Sequence, residues 1–248
     1  MDEPRDTDPM SLRYPSAYRR TQPEECGGGS DHFAAHLGAS RSGCLRFTNG
    51  AHRVFIRAGL HLRGLYRASF GERMPIVESR GGVVSIHYTR VASCDWTGNR
   101  PERPAEVALN AGIPWDVEVR GGASRLTADL SGLRLRALKV DGGVSRLQVV
   151  LPAPSGIVTV GILGGASNLS IRRPEGVAAR LRVEGGATNL AFEGRHIGAS
   201  GGKLDLRSWD YDGVADRYDI AVTGGANNLS IDEQGGSKEG ANLDREGK

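Results

Sequence analysis

Four side chains that could hold a zinc ion fall within nineteen residues near the start of the chain: Cys26, His32, His36 and Cys44, spaced C-x5-H-x3-H-x7-C. Thiolate and imidazole are the usual ligands of closed zinc sites, and the four-residue histidine step would set both rings on one face of a helix. Neither cysteine has the close second cysteine of common zinc modules. The competing reading is therefore a leader with incidental Cys and His. With Cys94 the cysteines number three, and an odd count in a chain with no export signal reads as reduced thiols.

A second fragment, Asp210-Tyr211-Asp212-Gly213, has the D-x-D-G form that opens calcium loops, but Ile220 and Ala221 stand where the closing glutamate is needed. These acids read as solvated loop residues. The sequence contains no nucleophile elbow, phosphate-cradling glycine loop or paired-histidine metalloprotease motif. No catalytic residue and no cofactor is assigned.

The elements that would position any such groups are set by a repeat. The hexapeptides GGASRL, GGVSRL, GGASNL and GGATNL begin at Gly121, Gly142, Gly164 and Gly185, and GGANNL follows at Gly224, 39 residues later and near two more steps. A fixed period of this size marks a stacked architecture in which no unit buries its apolar face alone. Between Gly164 and Gly185, Leu169 and Ile171 alternate with polar residues, Arg173-Pro174-Glu175-Gly176 turns the chain, and Val177, Ala179, Leu181 and Val183 alternate again. Period-two alternation bounded by Pro and Gly means two half-buried strands per repeat. The expected fold is all-β, a single elongated β-solenoid of two facing sheets with two-strand repeats of about 21 residues and almost no helix.

The paired glycines are expected at the corners, where stacked backbones approach too closely for side chains. The pairs are Gly81-Gly82, Gly121-Gly122, Gly142-Gly143, Gly164-Gly165, Gly185-Gly186 and Gly224-Gly225. The small residue and Ser/Thr after them could form a polar ladder beside each corner. Gly81 precedes Gly121 by 40 residues, so the segment before it is expected to begin the same solenoid. Ser93 to Pro114 is expected to interrupt it as a polar, proline-bearing loop. Trp209, Tyr211 and Tyr218 are expected to cover the terminal rung.

Residues 1–43 are charged and rich in Pro, Gly and Ser, the composition of a disordered leader; 44–231 form the solenoid, with regular repeats over 115–192; 232–248 form a second tail. The opening acids and missing apolar run give no secretory signal, no stretch is long and apolar enough for a membrane helix, and the default location is the cytoplasm. A net charge of +3 is mild. Arg134, Arg136, Arg180 and Arg182 fall on outward positions and read as a solvated face, in preference to a surface for anionic lipid or nucleic acid. A carbohydrate-active β-helix would need acids or bases converging from equivalent positions of successive rungs. The positions equivalent to Asp129 are Val150 or Gln148, then Arg172, so acids do not stack and an enzyme is not expected.

The run from Asp116 to Val183, with its order of Gly-Gly-small-x-x-Leu, Asp-Leu-Ser, Val-Asp-Gly-Gly-Val, Leu-Pro and Pro-x-Gly-Val, resembles the C-terminal β-solenoid of the LiaF-like, cell-wall-active-antibiotic-response proteins, the toastrack domain. The likeness covers roughly Trp115 to Phe192. In architecture the chain also resembles the bactofilins, soluble bacterial solenoids that polymerise end to end. The first resemblance implies a non-enzymatic scaffold that contacts other proteins, itself included, in envelope-stress or regulatory signalling; in that family the domain usually follows membrane helices, and with no such helix in this sequence any membrane contact is expected to be peripheral. The second implies self-assembly. Carbohydrate binding, with or without lyase chemistry, is the third expectation.

Overall fold

The computed structural model describes residues 32–71, 74–88 and 103–235. Nineteen strands and no helix occur among them. In chain order these are β1 (His32–His36), β2 (Gly43–Thr48), β3 (Ala51–Gly59), β4 (Gly64–Ser69), β5 (Ile76–Arg80), β6 (Val83–His87), β7 (Ala105–Asn110), β8 (Pro114–Arg120), β9 (Ala123–Asp129) and β10 (Arg134–Asp141). There follow β11 (Leu147–Val150), β12 (Ile157–Leu163), β13 (Ala166–Arg173), β14 (Ala178–Val183), β15 (Ala187–Phe192), β16 (Arg195–Ser200), β17 (Leu204–Arg207), β18 (Arg217–Val222) and β19 (Ala226–Glu233).

Two sheets face each other. One has ten strands in the order β1-β4-β7-β3-β9-β11-β13-β19-β15-β16; the other has nine, in the order β17-β14-β18-β12-β10-β8-β2-β6-β5. Each rung contributes one strand to each sheet. Equivalent residues pair in parallel, as Leu126, Leu147 and Leu169 do, so the alternating apolar side chains of both sheets meet in one continuous core. Trp115 lies fully buried there, and its indole Nε1 donates to the Asn110 carbonyl at 2.7 Å. Tyr218 is fully buried as well, donating to the Pro152 carbonyl at 2.5 Å.

The order of rungs in space is not their order in sequence. From β8/β9 through β10/β11 to β12/β13 the coil advances one step at a time. Then β14/β15 skips a slot, and the last rung, β18/β19, fills it by pairing with β12/β13 on one side and β14/β15 on the other. The N-terminal half does the same in reverse, with β2/β3 between β6/β7 and β8/β9. Both ends are finished by strands that reverse direction: β4 runs antiparallel to β7 and β1 to β4, β5 to β6, β16 to β15 and β17 to β14.

Several sequence expectations change accordingly. The copy at Gly224 does not extend the stack two steps beyond Gly185; its corner is inserted between those of Gly164 and Gly185. Gly81-Gly82 is no rung corner. It closes the β5–β6 hairpin, with φ of 57° and 82°, a conformation glycine adopts without steric cost. The true N-terminal corner is Asn49-Gly50, whose Gly50 amide donates to the Arg120 carbonyl at 2.7 Å. Within the expected loop from Ser93 to Pro114, residues Ala105–Asn110 are the strand β7, with Val107 and Leu109 in the core. The segment expected as leader contributes β1.

At the turns opposite the glycine corners, one buried cation fastens the inserted rung. The Arg173 guanidinium donates to Glu193, to Glu233 at 3.0 Å and to the Val177 carbonyl. Glu193 also accepts from the buried Ser208 hydroxyl. Because Arg173, Glu193 and Glu233 come from β13, the end of β15 and β19, the cluster ties three rungs together.

Candidate functional site

The sequence-predicted metal ligands do not assemble among the described residues. Cys26 lies outside them. His32 and His36 sit on β1, an edge strand of the ten-stranded sheet, with both rings on its exposed side, so the helical face expected for them is instead one face of a strand. Cys44 is on β2 in the other sheet, half-buried, and burial pushes its thiol up from the ordinary value, with Glu118 adding to the shift. No group of three or more His, Cys, Asp or Glu able to hold a metal ion occurs among the described residues. In the D-x-D-G fragment Asp212 pairs with Arg207 at 3.0 Å, and Asp216 accepts from the Gly156 amide at 2.6 Å.

What distinguishes the surface is a contrast between its two broad faces. On the nine-stranded sheet, charges pair across strands: Arg46 with Glu118 at 2.8 Å, Arg136 with Asp116, Arg180 with Asp205 at 2.5 Å, and Arg182 with Asp219 at 2.9 Å. The hydrogen bonds from Arg180 hold the Asp205 carboxyl down at about 2, and those from Arg46 hold Glu118 below its usual range. Arg134 donates to the Gly112 carbonyl. The arginines singled out in the sequence are thus spent on neighbours, which supports a solvated face over a polyanion-binding one.

The ten-stranded face carries a patch of amides and hydroxyls across β11, β13, β19, β15 and β16. The fifth residue of the hexapeptide has a left-handed backbone in several rungs: Arg125, Asn168, Asn189 and Asn228 have φ of 59°, 54°, 51° and 54°. The pairing register skips Asn168 and Asn228 together, with no shift between Ser167–Asn227 and Leu169–Leu229, so the two stand side by side. Asparagine suits that position because its short side chain tolerates left-handed φ. The three side chains form a ladder: Asn189 Nδ2 donates to Asn228 Oδ1 at 2.6 Å, Asn228 Nδ2 to Asn168 Oδ1 at 3.1 Å, and Asn168 Nδ2 to the Ser145 carbonyl at 3.4 Å. Beside the corner, at the Ser/Thr position expected to carry a polar ladder, Thr188 Oγ1 donates to Asn227 Oδ1 at 2.9 Å; the continuous run lies one residue further on, at the asparagines. Next to them the register lines up Gln148, Ser170, Ser230, Ala191 and His196 across five adjacent strands. Together the two rows flank a shallow, open trough of about 360 Å³. The shared fifth position of GGASNL, GGATNL and GGANNL was the signal that could have revealed the ladder.

The end of the stack carries a different feature. Of the three aromatic residues expected to cover it, Tyr211 is buried under Arg217, 5.1 Å from its ring, and Tyr218 lies in the core, but Trp209 is 102% exposed. Its loop is fastened on both sides, by Ser208 hydrogen-bonded to Ala179 and by the Gly213 amide donating to Asp210 at 2.9 Å.

Asp129, Val150, Arg172 and Asp232 share one outward row of the ten-stranded sheet, so the structure shows no convergent pair of acids there. These features define a capped, parallel two-sheet β-solenoid whose broad faces are solvated. Residues 77–172, the centre of the chain, match the family described as the N-terminal domain of toast_rack, DUF2154, in keeping with the toast-rack-like β-solenoid seen here. Among solved structures, the chain is similar to a "putative cell adhesion protein" from Clostridium sporogenes, at 16% identity and a TM-score of 0.60, over 83% of this chain and 99% of that one. That likeness is one of fold. A comparison with curated proteins gave no match.

Proposed function

We propose that this chain is a non-enzymatic protein-interaction scaffold of LiaF-like type, serving envelope-stress or regulatory signalling from the cytoplasmic side. The observation that carries the reading is Trp209. An indole held wholly in water on a fastened loop forgoes the largest apolar burial any side chain offers, on the order of 4–6 kcal/mol. Tryptophan in this setting is the residue type most enriched at the energetic centres of protein interfaces. A partner that covers it gains that burial without paying to order the loop. The word "adhesion" in the name of the Clostridium sporogenes protein is consistent with a binding role.

The self-assembling alternative meets the antiparallel strands at both ends, which present no parallel rung edge for a second copy to continue. Proximity labelling in the native host, followed by binding measurements on the recovered partner with wild-type and Trp209→Ala protein, tests the proposal. Loss of affinity by about 30-fold or more is expected, with an unchanged thermal melt. Unaltered affinity for every recovered partner refutes the assignment of Trp209.

A further inference from the structure

We propose that the trough on the ten-stranded sheet is a binding site for a linear, uncharged, β-linked glycan lying along the stack axis. This goes beyond the scaffold reading and stands independently of Trp209.

The argument begins with the direction of the trough. Its row from Gln148 through Ser170, Ser230 and Ala191 to His196 crosses β11, β13, β19, β15 and β16 at right angles to the strands. Four of its five positions are polar, Ala191 being the exception; they are set at the inter-strand spacing of about 4.8 Å, so four steps make a track about 19 Å long. That spacing is close to the length of one β-linked pyranose unit in an extended chain. An extended peptide repeats every 3.3 Å or so, so it comes into step only at every second strand, three residues on. A pyranose chain can set an equivalent group at every strand, which favours it over a peptide.

Chemistry points the same way. The wall is the Asn168–Asn228–Asn189 ladder, whose amides have both donor and acceptor capacity left after the bonds between them. The floor adds the Ser170 and Ser230 hydroxyls, 3.4 Å apart. Groups that both donate and accept match sugar hydroxyls, which do the same. Only Arg146 and His196 among the lining residues are ionisable, which gives a polyanion little to bind. The ladder is also pre-organised: each asparagine has the same left-handed backbone and is held by its neighbour, so little rotamer freedom is lost on binding. The amide patch, bordered by the row of Asp129, Val150, Arg172 and Asp232, lies on the sheet opposite the paired charges of the nine-stranded face.

Isothermal titration of the full chain with cellohexaose and chitohexaose tests this, with glucose and the α-1,6-linked isomaltohexaose as controls. Saturable binding of at least one β-linked hexasaccharide is expected, with no binding of glucose at the same concentration. Asn228→Gly keeps the left-handed backbone but deletes the central amide, and should weaken binding about five- to tenfold. Ser230→Tyr places a ring in the trough and should abolish it. Gln148→Ala, at the far end, serves as a milder third variant should either of these melt early. Absence of saturable binding up to 10 mM of either hexasaccharide overturns the proposal, as does equal binding of isomaltohexaose or binding that survives all three substitutions. Those outcomes leave the Trp209 measurement untouched, since that one reads protein affinity.

Discussion

Replacing Gly224 and Gly225 one at a time by alanine separates two roles that the Gly-Gly doublet conceals. Neither residue has a left-handed φ, so only space is at stake. A Cβ on Gly224 would lie 2.5 Å from the Gly164 carbonyl carbon, 2.6 Å from its oxygen and 2.6 Å from the Gly165 nitrogen. All three are backbone atoms of the neighbouring rung, with no side chain to swing away. A Cβ on Gly225 would meet nothing nearer than the Gly185 oxygen at 3.4 Å. To restore ordinary contact the rungs must part by about 1 Å at Gly224. That stretches the bonds from the Gly224 amide to Gly164 at 3.2 Å and from the Ala166 amide to Gly225 at 2.9 Å, worth about 1 kcal/mol each. Overpacking against backbone adds about 1–3 kcal/mol. Gly224→Ala should therefore cost about 3–5 kcal/mol, and Gly225→Ala under about 1 kcal/mol. For a domain of this size the first lowers Tm by roughly 10 °C. Urea unfolding followed by tryptophan fluorescence, together with thermal melts by circular dichroism, measures both. Equal losses for the two variants, or a wild-type melt for Gly224→Ala, would refute the stacked-corner account.

Arg173→Met should destabilise the chain by about 2–3 kcal/mol in the same urea assay, because it leaves Glu193 and Glu233 without their cation; the figure sits below that for a fully buried pair because both carboxylates keep some solvent. Asp205 predicts an acid-side effect. Its folded pKa, about 2, lies below the unfolded value of about 4, so its contribution is complete above pH 4 and is lost as the pH falls from 4 to 2. The side chain is 42% exposed, which limits that contribution to well under 1 kcal/mol; comparing the Tm of wild type and Asp205→Asn from pH 2 to 6 should show the gap between them closing toward pH 2, and a constant gap would contradict it.

The two-strand rung was legible because each half of it obeys a local rule. Alternation at Leu169 and Ile171 and again at Ala179 and Leu181 specifies strands, and Pro174 with Gly176 specifies the turn between them. Rung order was not legible, since a corner such as Gly224-Gly225 looks alike wherever it stacks. Placing it depends on which slot was left open, a non-local property of the chain. The Asn49-Gly50 corner escaped because it replaces the first glycine, although Ala51 and Val54 keep the remaining pattern of small and apolar residues. Gly81-Gly82 misled for the opposite reason: a tight hairpin and a stacked corner both select paired glycines, one for positive φ and the other for close approach. The exposure of Trp209 followed from no periodicity, because its neighbours Tyr211 and Tyr218 took the burial that composition would have assigned to all three.

Insertion of the last rung links completion of the fold to completion of its polar face. β13 and β19 pair residues 60 positions apart, as Leu169 with Leu229, so the slot beside β13 stays open until the cap strands and the Trp209 loop have passed. Closing such a long loop is entropically costly and slow, and the Arg173 cluster supplies a fastening once it is closed. Asn228 and Ser230 belong to that rung. Without it Asn168 and Asn189 face each other across an empty slot, and the trough has no floor at its centre. The amide ladder therefore exists only in the fully assembled chain, while the reversed strands at each end limit the stack to a fixed number of rungs. A polar track of defined length follows from this topology, whereas a simple coil laid down in sequence order would leave its last rung, and any ladder on it, at an open edge.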